Sequence, residues 1–283
     1  MTPVVSDAIM IDFLHTFFAS PVMQDALPPA LLIAFVSSSI SVMVLAHRLS
    51  FLTVGVSHAS LAGLGLAIAF SLPLLPTATA FCVFVALLLA SSPKKRGITE
   101  DTGTGLLFAG SMALGIILVS QASRNEVDLF GLLFGNILTV SPQEWHWLLF
   151  IASIILLAFI IMARAWWSIA FDANTATASG LPVSVLRLAL YATVGLCVVM
   201  CVKLAGIVLT TGLMVLPAAC AWFWGRSLIG LWLLSTTFAI LGTLVGLMLS
   251  YHYDWPSGAT IVLTLCVIFI ISWGGAWLKQ QKQ

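Results

Sequence analysis

Along this chain the apolar positions come in long unbroken runs, not in the alternation of a half-buried strand or the narrow stripe of a surface helix. No Asp, Glu, Lys or Arg occurs from Leu49 to Pro93. Similar gaps run Ala26–His47, Thr102–Ser123, Trp145–Ala163, Leu204–Gly225, Ser227–Tyr253 and Trp255–Leu278. Each is near or above the roughly 18 apolar residues that mark a membrane-spanning helix. The gap from Leu49 must hold two spans, with Leu72-Pro73-Leu74-Leu75-Pro76 as the turn between them. A further span, interrupted by Arg187 near its start, covers about 183–202.

The pattern therefore predicts an all-α integral membrane protein of nine spans, at about 27–46, 51–71, 75–92, 103–121, 144–163, 183–202, 205–225, 227–250 and 256–278. An eight-span count, with one segment treated differently, is the alternative. Nine helices of about 20 residues use about 180 positions, which leaves short loops and no room for a soluble catalytic domain. Residues 1–283 thus form a single membrane domain, with 1–26 as an N-terminal lead-in whose segment 8–22 looks interfacial and amphipathic.

Composition agrees: 61% of residues are apolar and 7% are charged, against about 25% charged in a soluble domain. A net charge of +1 argues against nucleic acid as a partner. The few charges also set orientation, because short basic loops stay cytoplasmic. With the N-terminus outside and the C-terminus inside, Arg48, Lys94, Lys95, Arg96, Arg164, Arg187, Arg226, Lys279 and Lys282 fall inside; only Arg124 and Lys203 fall outside. Most tryptophans then lie at span ends, the headgroup level that indole prefers. The five cysteines all fall within spans, where packing is a better account than a disulfide framework.

Chemistry is conspicuous by what is missing. HExxH, GxSxG and a phosphate-binding Gly-Lys loop are all absent. The spans also lack the mid-membrane carboxylates that couple ions in many secondary transporters. The chain reads as a transport subunit and not an enzyme, with energy supplied by a partner. Between the fifth and sixth spans lies RAWWSIAFDANTATASGLPV (164–183). Asp172 can cap a short helix there, Gly180 can close it and Pro182 can start the next span. A short capped helix against the membrane has the geometry of a docking element; an ordinary loop with one helical turn is the alternative.

The segment AFDANTATASGLPV resembles the coupling-helix region of the zinc/manganese/iron permease family of ABC importers, which shows an FDxxxAxxxG pattern. Four further segments match in order: LSFLTVGVSHASLAGLGLA (from Leu49), DLFGLLFGNILTVS (128–141), KLAGIVLTTGLMVLPAACA (203–221) and YHYDWPSGATIVL (251–263). The resemblance covers nearly the full length. It implies a bacterial cytoplasmic-membrane permease that works as a homodimer, with an ATP-hydrolysing subunit under each copy and an extracytoplasmic metal-binding protein above. It also implies that Phe171, Asp172, Ala176 and Gly180 engage the ATPase, and that the transported divalent metal is cargo and not a stably bound cofactor.

His58, in an otherwise apolar helix with Ser57, Ser60 and Gly63 nearby, becomes the first pathway residue, since imidazole binds first-row divalent metals. A hydrogen bond to a neighbouring carbonyl is its bland alternative. Many relatives carry an Asp one turn earlier, where this chain has Val54. His252 and Asp254 are candidates for attracting a cation at the outer mouth, or for plain loop polarity. Met214 and Pro217 suit a flexible gate or core packing around a proline kink. Within the same architecture a metal chelate, of siderophore or cobalamin type, is the alternative cargo; a self-contained secondary transporter is the alternative class.

Overall fold

A computed structural model describes residues 15–91, 100–121, 135, 137 and 140–281. Asp128, Asn136 and most of the segment 128–141 lie outside the described residues, as do Lys94, Lys95, Arg96 and Lys282. The described chain is nearly all helical: α1 (Pro21–Ala46), α2 (Ser50–Ala69), α3 (Leu74–Ser91), α4 (Glu100–Gln121), α5 (Pro142–Phe171), α6 (Ala173–Ala178), α7 (Val183–Trp222), α8 (Leu228–Tyr253) and α9 (Ser257–Gln280). Among the described residues, eight helical stretches are long and apolar enough to cross a membrane.

Local sequence explains the helix starts. Ser141 and Glu144 form a reciprocal capping box, with Pro142 in the first turn, so α5 begins where four orphan amides would otherwise face solvent. Ser227 accepts from the Gly230 amide and opens α8 in the same way.

Helix α7 departs most from expectation. At 40 residues it would measure about 60 Å if straight, twice the bilayer core. Yet both of its ends lie beside the same point of α5. The Trp166 indole N–H donates to the Leu186 carbonyl at 2.8 Å, and the Trp222 ring packs on Trp167 at 6.3 Å. The chain reverses at Gly206, whose φ of 77° and ψ of 172° belong to a region that essentially only glycine occupies. Just before the break, Lys203 pairs with Glu144 at the opposite end of α5, at 2.8 Å. Just after it, the Thr210 hydroxyl donates to the Gly206 carbonyl.

Residues 183–203 therefore run the full height and Thr210–Trp222, about 20 Å long, returns through part of it. The predicted seventh span at 205–225 is corrected accordingly to a shorter helix behind a glycine break. An uncharged run counts residues but not the backbone spent on a turn. With eight span-length helices among the described residues, the lower of the two predicted counts fits, and Trp222 at the end of the shorter arm lies beside Trp167.

The core centres on α1, which packs against α5, α7 and α8. Its Ser37, Ser38, Ser39 and Ser41 are fully buried. With little water available, three of the four donate to carbonyls of their own helix. Their remaining capacity joins neighbours: Trp232 Nε1 donates to Ser39 at 2.9 Å, Ser38 meets Thr236 at 3.0 Å, and the Ala218 amide donates to Ser41 at 3.2 Å. On the other flank α2 lies against both α3 and α4. Gly63 permits the first contact, for a Cβ there would come within 2.8 Å of the Ala78 Cα; Gly115 of α4 permits the second, at 2.8 Å from the Ala62 amide. The five cysteines are unpaired and four are buried, which fits the packing role.

Candidate metal pathway and docking helix

The segment between α5 and α7 forms the helix that its end signals predict, within 171–180: Asp172 is its cap and Ala178 its last residue. Asp172 leaves the helical region at φ −153° and caps α6, accepting from the Asn174 amide at 2.9 Å and from the Thr175 hydroxyl. At the other end Gly180 takes φ 84°, and the amides of Gly180 and Leu181 return to the carbonyls of Thr177 and Ala176. From Phe171 to Gly180 every residue is exposed except Ala176, at 1%. Phe171 is 75% exposed and meets Trp167 edge-on at 5.0 Å. A helix this short cannot hold itself together in water, so its caps and the one buried methyl carry it.

The hydrogen bond from Thr175, with those from the backbone amides of Thr175 and Asn174, holds the Asp172 carboxyl below its ordinary pKa. Because the folded value is the lower one, the cap contributes fully above the unfolded carboxylate pKa and is lost as pH falls through the depressed value. The protection of the Asn174 and Thr175 amides, measured against the intrinsic exchange rate at each pH, should therefore fall on acidification in this chain. In Asp172→Asn, which carries no titrating group there, the intrinsic rate profile should remain; identical pH profiles in the two would contradict the cap.

His58 projects from the middle of α2, half-buried. Its Nδ1–H donates to the Val54 carbonyl at 3.0 Å, with the Ser57 hydroxyl 3.4 Å away and also donating to that carbonyl. A carbonyl can only accept, so in the neutral ring the lone pair sits on Nε2, the atom that binds metals. The expected carbonyl partner is present: one nitrogen is anchored and the other keeps its lone pair. Val54 serves here through its backbone carbonyl. Phe108 of α4 covers the imidazole edge-on at 4.6 Å.

The other predicted residues do not converge on His58. His252 lies in the exposed last turn of α8 and Asp254 caps that helix at φ 55°, where the Ser250 hydroxyl donates to the Trp255 carbonyl. Among the described residues no three His, Cys, Asp or Glu side chains group as a metal site. Met214 is fully buried in the core and Pro217 is buried beside it in the shorter arm of α7. There the neighbouring Ala218 amide turns to Ser41. Both serve packing in this conformation, as does Gly63 between α2 and α3.

Sequence reasoning missed Phe108, the serine cluster of α1 and the Glu144–Lys203 pair. The last had a signal, since both residues fall at outer ends in the alternating topology. Phe108 had none, because an aromatic in a lipid-spanning run looks like any other apolar residue.

Comparison with known proteins follows the same lines. The profile described as the ABC 3 transport family matches residues 19–275. The manganese transport system membrane protein MntC of Listeria monocytogenes is 30% identical over 92% of this chain and 92% of its own length. The chelated iron transport system membrane protein YfeD of Yersinia pestis is 28% identical over 90% and 86%. Among solved structures, PsaBC from Streptococcus pneumoniae in complex with Fab superimposes with a TM-score of 0.83 at 28% identity, over 93% of this chain and 95% of that one.

Proposed function

The chain belongs to the ABC 3 transport family, as a multi-pass protein of the bacterial cytoplasmic membrane and a metal-transport permease, and from that premise we propose a mechanism and a cargo. It imports a divalent transition metal, zinc, manganese or iron(II), by alternating access. Two copies form the translocation unit, an ATP-binding cassette subunit docks under each, and an extracytoplasmic binding protein delivers the ion. The observation that carries this reading is α6: a doubly capped, exposed helix with Ala176 as its one buried residue. A rigid protrusion of this kind transmits the rocking of a partner to the helices it joins, α5 and α7, and α7 contains the Gly206 break.

In this scheme the ion passes His58 as a single neutral donor. One imidazole without a carboxylate binds weakly enough to let go, which transport requires. Imidazole also suits zinc and iron more than manganese, for which oxygen ligands are the better match. The likeness to a chelated iron system keeps iron among the cargoes to test.

The deciding experiment is uptake by the complex reconstituted with its ATPase and binding protein, with zinc, manganese and iron(II) supplied separately. One metal should be taken up in an ATP-dependent way. His58→Ala should lower that uptake about tenfold, on the scale seen when a metal site loses one supporting group. Uptake without any ATPase subunit would end the ABC reading, and unchanged uptake in His58→Ala would remove His58 from the pathway.

A further inference from the structure

Helix α4 packs chiefly on α2, and glycines bring the two backbones together at both ends of the contact. A Cβ on Gly55 would meet the Thr104 methyl at 2.5 Å. Further along, one on Gly115 would lie 2.8 Å from the Ala62 amide nitrogen, and one on Gly65 would lie 2.9 Å from the Leu118 Cβ. Contacts this close leave no slack for one helix to slide across the other. Between these two tight places Phe108 meets His58, with ring centres 4.6 Å apart and planes at 71°.

The half-buried imidazole is therefore held from two directions. From its own helix the Val54 carbonyl accepts from Nδ1–H at 3.0 Å. That carbonyl also accepts from the Ser57 hydroxyl at 2.9 Å, so the anchor is shared. From α4 comes a phenyl ring in edge-to-face contact, an attractive arrangement for two aromatic rings. The phenyl also fills space through which the imidazole would swing to exchange its two nitrogens. It has no electron pair to give a metal, so its part can only be to hold the group that does.

Groups that orient a metal-binding histidine fix which nitrogen carries the proton, and their loss costs about 10–100-fold in affinity. We propose that Phe108 is the positioning residue of His58: it keeps the ring against the Val54 carbonyl, so that Nδ1 carries the proton and Nε2 offers its lone pair to the passing ion. Because α4 is mounted on α2 by the glycine contacts, the pair stays intact when the two helices move as one body. This inference deepens the proposed passage of the ion by His58 and rests on it.

Its test is nitrogen NMR of the full chain in nanodiscs, with isotope-labelled histidine, at about pH 8, where an ordinary imidazole is neutral. The His58 signals are those lost in His58→Ala. The unaltered chain should show one tautomer, protonated at Nδ1, and zinc added alone should shift the Nε2 signal. Phe108→Ala should bring in the second tautomer and weaken zinc binding at His58 about tenfold. Phe108→Tyr, which keeps the ring, should behave as the unaltered chain does. Leu106→Ala, at an exposed position on the same helix, should change neither reading. A mixture of tautomers in the unaltered chain overturns the proposal without reliance on any variant. So does a Phe108→Ala protein with unaltered tautomer and zinc affinity, and so does an equal effect of Leu106→Ala, which would mark a general loosening of α4. A single Nδ1–H tautomer whose Nε2 never responds to zinc has a different meaning: it ends the reading of His58 as a metal contact, and the positioning role falls with it.

Discussion

Ala176→Pro should abolish ATP-driven metal uptake while leaving the membrane helices assembled. The Ala176 amide donates to the Asp172 carbonyl at 3.1 Å, and its own carbonyl accepts from Leu181. Proline removes that donor and drives its ring against the preceding turn, at about 3 kcal/mol in a helix interior. A six-residue helix has no such reserve. The one buried residue of α6 is displaced at the same time, so the surface proposed to meet the ATPase loses its shape. The long helices on either side bury their own faces and do not depend on α6. We expect at least a tenfold loss of uptake, with normal membrane abundance and normal gel-filtration behaviour. Ala176→Ser, which keeps the amide and nearly the same volume, should transport. Wild-type uptake in the proline variant would sink the assignment of α6 as the docking element.

The second large effect falls on Gly206. A Cβ at φ 77°, ψ 172° clashes with the local backbone whatever space surrounds it, and residues forced into such regions cost about 1–3 kcal/mol. Alanine at this position should lower the thermal midpoint measured by detergent-based size exclusion, and the β-branched valine should lower it further. The break cannot simply straighten, because Lys203 is tied to Glu144 on one side and Trp222 to Trp167 on the other. Gly105→Ala makes the control: that glycine is helical, and nothing stands within 4 Å of the added Cβ. It should be neutral or slightly stabilising. A Gly206→Ala protein as stable as the control would mean that the reversal of α7 does not depend on this backbone geometry.

Much of the candidate site was legible because its signals are local. Asp172, Gly180 and the residues between them specify a capped helix through hydrogen bonds spanning two to five positions, and the structure forms those bonds. The anchoring of His58 is local too, since its carbonyl partner lies four residues back on the same helix. His252 and Asp254 were also neighbours in sequence, but adjacency gave no third ligand, and a cation site needs donors converging from several directions. What escaped notice depends on contacts between distant segments: Phe108 over His58 and Trp232 on Ser39.

The same division holds for the whole molecule. The amino-acid sequence alone determined that the chain lives in lipid, roughly where its spans fall and where a short capped helix stands. Each of these follows from local composition and hydrogen-bond chemistry, with water and bilayer as the only partners. Tertiary structure decided that the seventh pass is a shorter arm turned back at Gly206, that Ala176 is the one buried residue of α6, and that His58 meets an aromatic ring. Those outcomes depend on which helices lie side by side, and hydropathy, being nearly uniform along lipid-facing and core-facing surfaces alike, carries no record of that choice.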